Sequence, residues 1–149
     1  VESLPVVVAA LGPQMLKLTA ELADGTNTWM VGPKTMEEHI MPCFEASGNY
    51  SPEIVAGMPI VLTNNIDHAK ESIGKSLAVY GQLPSYRAML DREGAVGPAD
   101  IAIIGDENKL GGEIKRLESL GVTDFNAAIM DVEDGAYHRT LEFLGSLRP

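Results

Sequence analysis

Four stretches of the chain follow one order, an apolar run of strand length, a tight turn and then a helical stripe, and this repetition limits the fold more than any other feature. Residues 6–9 read Val-Val-Val-Ala without alternation, which suits a strand buried on both faces of a parallel sheet. Gly12-Pro13 then opens a helix, with Pro13 at a favoured first position and Met15, Leu16, Leu18, Thr19 and Leu22 as its apolar stripe, ended by Asp24-Gly25. A second unit places a strand at 26–31, a second Gly-Pro at 32–33, and a helix from about Lys34 to Ala46 that Pro42 should kink. The third has a strand at 55–63, Asn64 and Asn65 as capping residues, and a helix over 66–80. The fourth has a strand at 123–130 and a closing helix over 136–147, with Tyr137, Leu141, Phe143 and Leu144 as its buried side. Between them, 83–121 reads as three helix-like stretches bracketed by Gly or Pro. These are a helical insertion at about 83–105 and a crossover helix capped by Asp106, with Leu110, Ile114, Leu117 and Leu120 at helical spacing.

Strand and helix in alternation predict a single α/β domain over 1–149, with a parallel sheet and right-handed crossovers. Four such units are half of a (β/α)8 barrel, which takes about 250 residues to close. An open doubly wound sheet is the alternative, but no GxGxxG follows the first strand. The chain opens on Val1 rather than methionine, which suggests a fragment.

The formal net charge of -10 argues against nucleic acid and anionic membranes, both of which need clustered Lys and Arg. One cysteine, Cys43, forms no internal disulfide, and a reducing, cytoplasmic setting is expected. No apolar run approaches the roughly 20 residues that span a bilayer.

The segment AALGPQMLKLTAELADG (9–25) resembles the luciferase-like monooxygenase superfamily at the fifth strand and helix of its barrel. The segments at 83–94, 97–107, 117–127 and 139–144 are similar to its coenzyme F-420-dependent, deazaflavin-using oxidoreductases. The resemblance implies the C-terminal half of such a (β/α)8 TIM barrel, strands five to eight, working on a small-molecule substrate by hydride transfer. It also implies that the loop matching Ala10, Leu11, Gly12, Pro13, Gln14 and Met15 contacts the 8-hydroxy-5-deazaflavin coenzyme. Physical reasoning agrees: Gly12 lets backbone come close to a ligand, and the helix behind it offers free N–H groups. Trp29, at the C-terminal end of the second strand, matches a position that touches substrate in some relatives; a buried aromatic is the other reading. No residue of this half matches a catalytic acid or base. An FMN-dependent monooxygenase is the runner-up.

Other features carry less. Gly-Pro-Lys-Thr at 32–35 lacks the glycine spacing of a phosphate loop. His39 and Cys43 are too few to make a metal site, and Cys43 reads as a small buried hydrophobe. His68 and His138 read as solvated, and the acidic residues in 130–134 as a helix start. A competing functional class is an inactive half barrel that survives by association, because two open sheet edges need covering; a dimer, or the other half of the barrel, is the expected partner.

Overall fold

Four of the five strands form where the sequence predicts them, and one long strand organises the rest. A computed structural model describes residues 4–147; Val1 lies outside them. Chain order is β1 (Val7–Ala9), α1 (Pro13–Leu22), β2 (Gly25–Trp29), α2 (Pro33–Thr35), a π turn (Met36–Ile40), α3 (Met41–Ser47), β3 (Glu53–Leu62) and α4 (Ile66–Ser76). A 3-10 turn (Ala78–Gly81), α5 (Pro84–Glu93), another 3-10 turn (Pro98–Asp100), β4 (Ile103–Gly105), α6 (Glu107–Ser119), β5 (Asp124–Ile129) and α7 (Ala136–Ser146) complete it.

All pairings are parallel, with Val7 opposite Gly25, Gly25 opposite Glu53, Val55 opposite Asp124 and Ile60 opposite Ile103. Backbone groups of alternate residues point to opposite edges, and β3 uses both. The Gly57 carbonyl accepts from Met30 N at 3.1 Å and Thr63 N donates to the Gly105 carbonyl at 3.0 Å, so β2 and β4 share one edge. The Ile54 and Ile60 carbonyls accept from Thr123 N and Met130 N on the other edge, where β5 lies. The main strands therefore run β1-β2-β3-β5 in chain order, with β4 continuing the edge that β2 leaves.

The even-numbered residues of β3 face the helices. Ile54, Ala56, Met58 and Ile60 pack with Leu16 of α1, Phe44 of α3 and Leu110 and Leu117 of α6 in the main core. Each such large side chain, fully buried, contributes roughly 1.5–3 kcal/mol. A second cluster joins Val61 and Ile104 to Ala69 and Ile73 of α4 and to Val132 and Ala136. Beyond the end of β5, buried Thr140 of α7 completes the ladder: its Oγ1 accepts from Leu62 N at 2.9 Å and donates to the Ala136 carbonyl at 2.7 Å.

Several expectations are corrected. The segment at 83–105 is not wholly helical, because Ile103–Gly105 forms β4; three residues are too short a run to separate a strand from a buried helical turn. Strand β2 stops at Trp29 instead of 31, since Met30 adopts φ 60°. Helix α4 ends at Ser76, not 80. Pro42 is announced by the π turn, in which Met41 N bonds the Met36 carbonyl five residues back; the wider turn accommodates a residue with no N–H to give. On α1, Leu16, Thr19 and Ala20 are buried, whereas Met15, Leu18 and Leu22 are exposed. On α7 the buried pair is Ala136 and Thr140, while Tyr137 and Leu141 are exposed.

Candidate functional site

Parallel strands put all their C-terminal ends on one side, so the loops after β1 and β2 meet. Between them lies a cavity of about 350 Å³, of the size that small ligands occupy. Ala10, Leu11, Gly12 and Met15 line it from the first loop and helix. Asn27 and Trp29 line it from β2, and Ser85 and Tyr86 from α5. Pro13 and Gln14 are exposed and lie outside this lining. Four of the six loop residues singled out from sequence, and Trp29, thus come together around one space. Ser85 and Tyr86 went unnoticed because only folding brings α5 there. Tyr86 is fixed by an edge-to-face contact with Tyr80, centroids 5.0 Å apart, and Tyr80 meets Trp29 in the same way at 5.9 Å.

Four features bear on whether a flavin-like group suits the cavity. A Cβ built at Gly12 would meet nothing within 4 Å, and the residue's φ of -73° and ψ of 151° are open to any amino acid. The fold itself therefore does not demand glycine there. No side chain caps α1, so the first-turn amides face outward. Trp29 Nε1 is buried and has no hydrogen-bond partner within the protein, an orphan donor that costs about 1–3 kcal/mol until an acceptor arrives. The lining includes no Lys or Arg. These donors fit the carbonyl-rich edge of a flat ring system, and an anionic group would meet only the positive end of α1.

The second Gly-Pro turn differs. Glu93, at the end of α5, caps α2: its carboxylate accepts from Lys34 N at 3.1 Å, Thr35 N at 2.7 Å and Thr35 Oγ1 at 2.8 Å. A Cβ at Gly32 would fall 2.3 Å from Glu93 Cδ, so any larger residue here must displace the Glu93 carboxylate. The phosphate-like Gly-Pro-Lys-Thr is occupied by the protein's own carboxylate.

The histidines are held more firmly than expected. His39 is buried, with Nε2 2.9 Å from the Leu11 carbonyl. His68 is exposed, yet its Nε2 lies 3.0 Å from the Val132 carbonyl. His138 is exposed and stacks edge-on with Tyr137. Cys43 is half-buried; burial pushes its thiol above the ordinary range, against a smaller opposing effect of Arg92. In the 130–134 segment, Glu133 accepts from Thr63 Oγ1 at 2.7 Å and pairs with Arg139 at 2.8 Å. Among the described residues, no cluster of three His, Cys, Asp or Glu could hold a metal ion, and no helix is long and apolar enough to cross a membrane.

A parallel sheet ordered with the chain and a ligand-sized cavity at the strand ends define an α/β protein, and the chain belongs to the luciferase-like monooxygenase family, whose model matches residues 1–129. No curated protein sequence matches the chain. Its fold is similar to that of an F-420-dependent secondary alcohol dehydrogenase in complex with an F-420–acetone adduct: TM-score 0.70, 18% identity, 99% of this chain and 50% of that one. It is equally similar to the coenzyme F-420-dependent tetrahydromethanopterin reductase from Methanopyrus kandleri: TM-score 0.70, 20% identity, 95% of this chain and 49% of that one. A long-chain alkane monooxygenase follows, with TM-score 0.59, 15% identity and coverage of 95% and 40%. The chain spans about half the length of the first two structures.

Proposed function

We propose that the chain is the C-terminal half, strands five to eight, of a (β/α)8 barrel oxidoreductase that moves hydride between coenzyme F-420 and a small organic substrate. The observation that carries this reading is the cavity at the ends of β1 and β2, with its unhindered Gly12 and the orphan donor of Trp29. Support for a deazaflavin comes from the two similar structures that use F-420. When bound, such a coenzyme supplies two-electron hydride chemistry at its central ring. The chain binds, orients and dries. Backbone at Ala10–Gly12 lets the ring approach, the Met15 amide donates to its oxygens, and Leu11, Met15 and Tyr86 exclude water. Trp29 donates to an oxygen on substrate or coenzyme. Hydride reduction of a carbonyl also needs a proton at oxygen; no carboxylate or histidine lines the cavity, which leaves the Tyr86 phenol or a group on the other wall to supply it.

The other wall is the complementary half of a barrel, supplied by further polypeptide or by a second copy. Exposed Ala9, Asn27 and Asn126, on the sheet face of the odd-numbered residues of β3, and the open edges of β1 and β5, await that cover. Sedimentation distinguishes the two sources: a dimer at micromolar concentration points to a second copy.

The test is a fluorescence titration with F-420 and, separately, FMN. Tighter binding of F-420, weakened at least fivefold by Gly12→Ala with unchanged thermal stability, supports the proposal. Preference for FMN favours a flavin-dependent monooxygenase, the chemistry for which the family is named. Binding of neither, by a stable dimer, favours a half barrel that acts only through association.

A further inference from the structure

We propose that His39 is the positioning residue of the coenzyme loop: its imidazole N–H holds the Leu11 carbonyl and thereby sets the shape of Ala10–Gly12. This rests on that loop being a coenzyme site. A carbonyl can only accept, so Nε2 of His39 carries the proton in the 2.9 Å contact. On either side the loop is anchored by other means. The Val8 carbonyl accepts from Thr26 Oγ1 at 2.9 Å, and the Gly12 carbonyl accepts from Leu16 N at 2.9 Å. Leu11 is the crest between these anchors, and among the described residues His39 supplies the one side-chain hydrogen bond to the backbone of residues 10–15.

The histidine's setting favours such a role. At 8% exposure its ring is shielded, so water competes little for the carbonyl. An aliphatic side chain would fill this space without the cost of desolvating two ring nitrogens. His39 also sits in the π turn, a backbone irregularity that occurs often at functional sites. It touches no space in the coenzyme cavity, so it acts through Leu11 alone.

The experiment compares the unaltered protein with His39→Phe, which keeps a ring and loses the donor, and His39→Gln, which restores an N–H. Hydrogen exchange by mass spectrometry is read on peptides covering 9–16 and 53–62, and F-420 affinity by fluorescence. His39→Phe should quicken exchange in 9–16 about fivefold and raise the F-420 dissociation constant about fivefold, the effect of one ordinary hydrogen bond. Peptide 53–62 should not change, and His39→Gln should recover most of both losses. Equal acceleration in 53–62 would mean that His39 merely stabilises the fold, and an impaired His39→Gln would mean that the donor is irrelevant; either overturns the proposal. If no coenzyme binds the unaltered protein while the exchange pattern holds, the coenzyme reading fails and the tether stands.

Discussion

The two Gly-Pro turns look alike in sequence and differ in what occupies them, which makes alanine at position 32 a sensitive probe. Gly32 has φ -79° and ψ 170°, so alanine fits its backbone and, other things equal, would stabilise the fold by about 0.4–1 kcal/mol through the unfolded chain. Its Cβ, however, would sit 2.3 Å from Glu93 Cδ and displace the carboxylate. The three hydrogen bonds to Lys34 and Thr35 would go with it, at a cost like that of losing a helix cap, about 1–2 kcal/mol. Gly32→Ala should therefore destabilise by about 0.5–1 kcal/mol net. Glu93→Ala should cost the full capping energy. In the double variant the new methyl has nothing to strike, so Gly32→Ala on the Glu93→Ala background should stabilise. The same substitution changes sign with its partner, a coupling of about 1–2 kcal/mol. Urea unfolding followed by circular dichroism reads this as midpoint shifts of order 0.5 M. If Gly32→Ala is harmless alone, or the two changes simply add, the carboxylate cap does not hold this turn.

Other outcomes follow from single contacts. Trp29→Phe removes the orphan indole N–H and should leave thermal stability equal or higher while weakening F-420 binding; a destabilisation above about 2 kcal/mol would show that the nitrogen has a partner in the protein. Thr140→Val keeps the volume and strands the Leu62 N–H, and should cost about 1–3 kcal/mol in urea titration. Because burial raises the Cys43 thiol, iodoacetamide should label it more slowly at pH 8 than a small exposed thiol. The sign for stability follows: the protonated thiol favours the folded state, so this contribution is full below the unfolded thiol's value and is lost as pH rises through the folded one.

Helices and long strands were legible because their signals are periodic and local. The Asp106 cap appears as read, with Oδ1 accepting from Lys109 N at 2.8 Å. The α6 stripe packs as read at Leu110 and Leu117. Strand β4 was not legible: Ile103–Gly105 becomes a strand only because β3 outlasts β2 and leaves an edge to fill. The same logic hid half of the candidate site. Gly12 and Trp29 stand at the ends of strands that the sequence shows, but Tyr86 reaches the cavity through α5, which meets the Gly32 turn through Glu93 across 60 intervening residues, a relation no local pattern records. His39 failed to stand out because a lone histidine beside a cysteine suggests metal chemistry, and its actual partner is a backbone carbonyl that every residue possesses.

Strand β3, bonded along both edges, also sets the order in which the protein can be completed during synthesis. Its second edge waits for Thr123 and β5, and the contact between Ile54 and Thr123 joins residues 69 apart. A ribosome adding about 5–20 residues per second leaves that interval open for roughly 3–14 s. For that time the nascent chain presents the bare, apolar edge of its longest strand, and a chaperone or a neighbouring ribosome's product has its best opportunity to claim it.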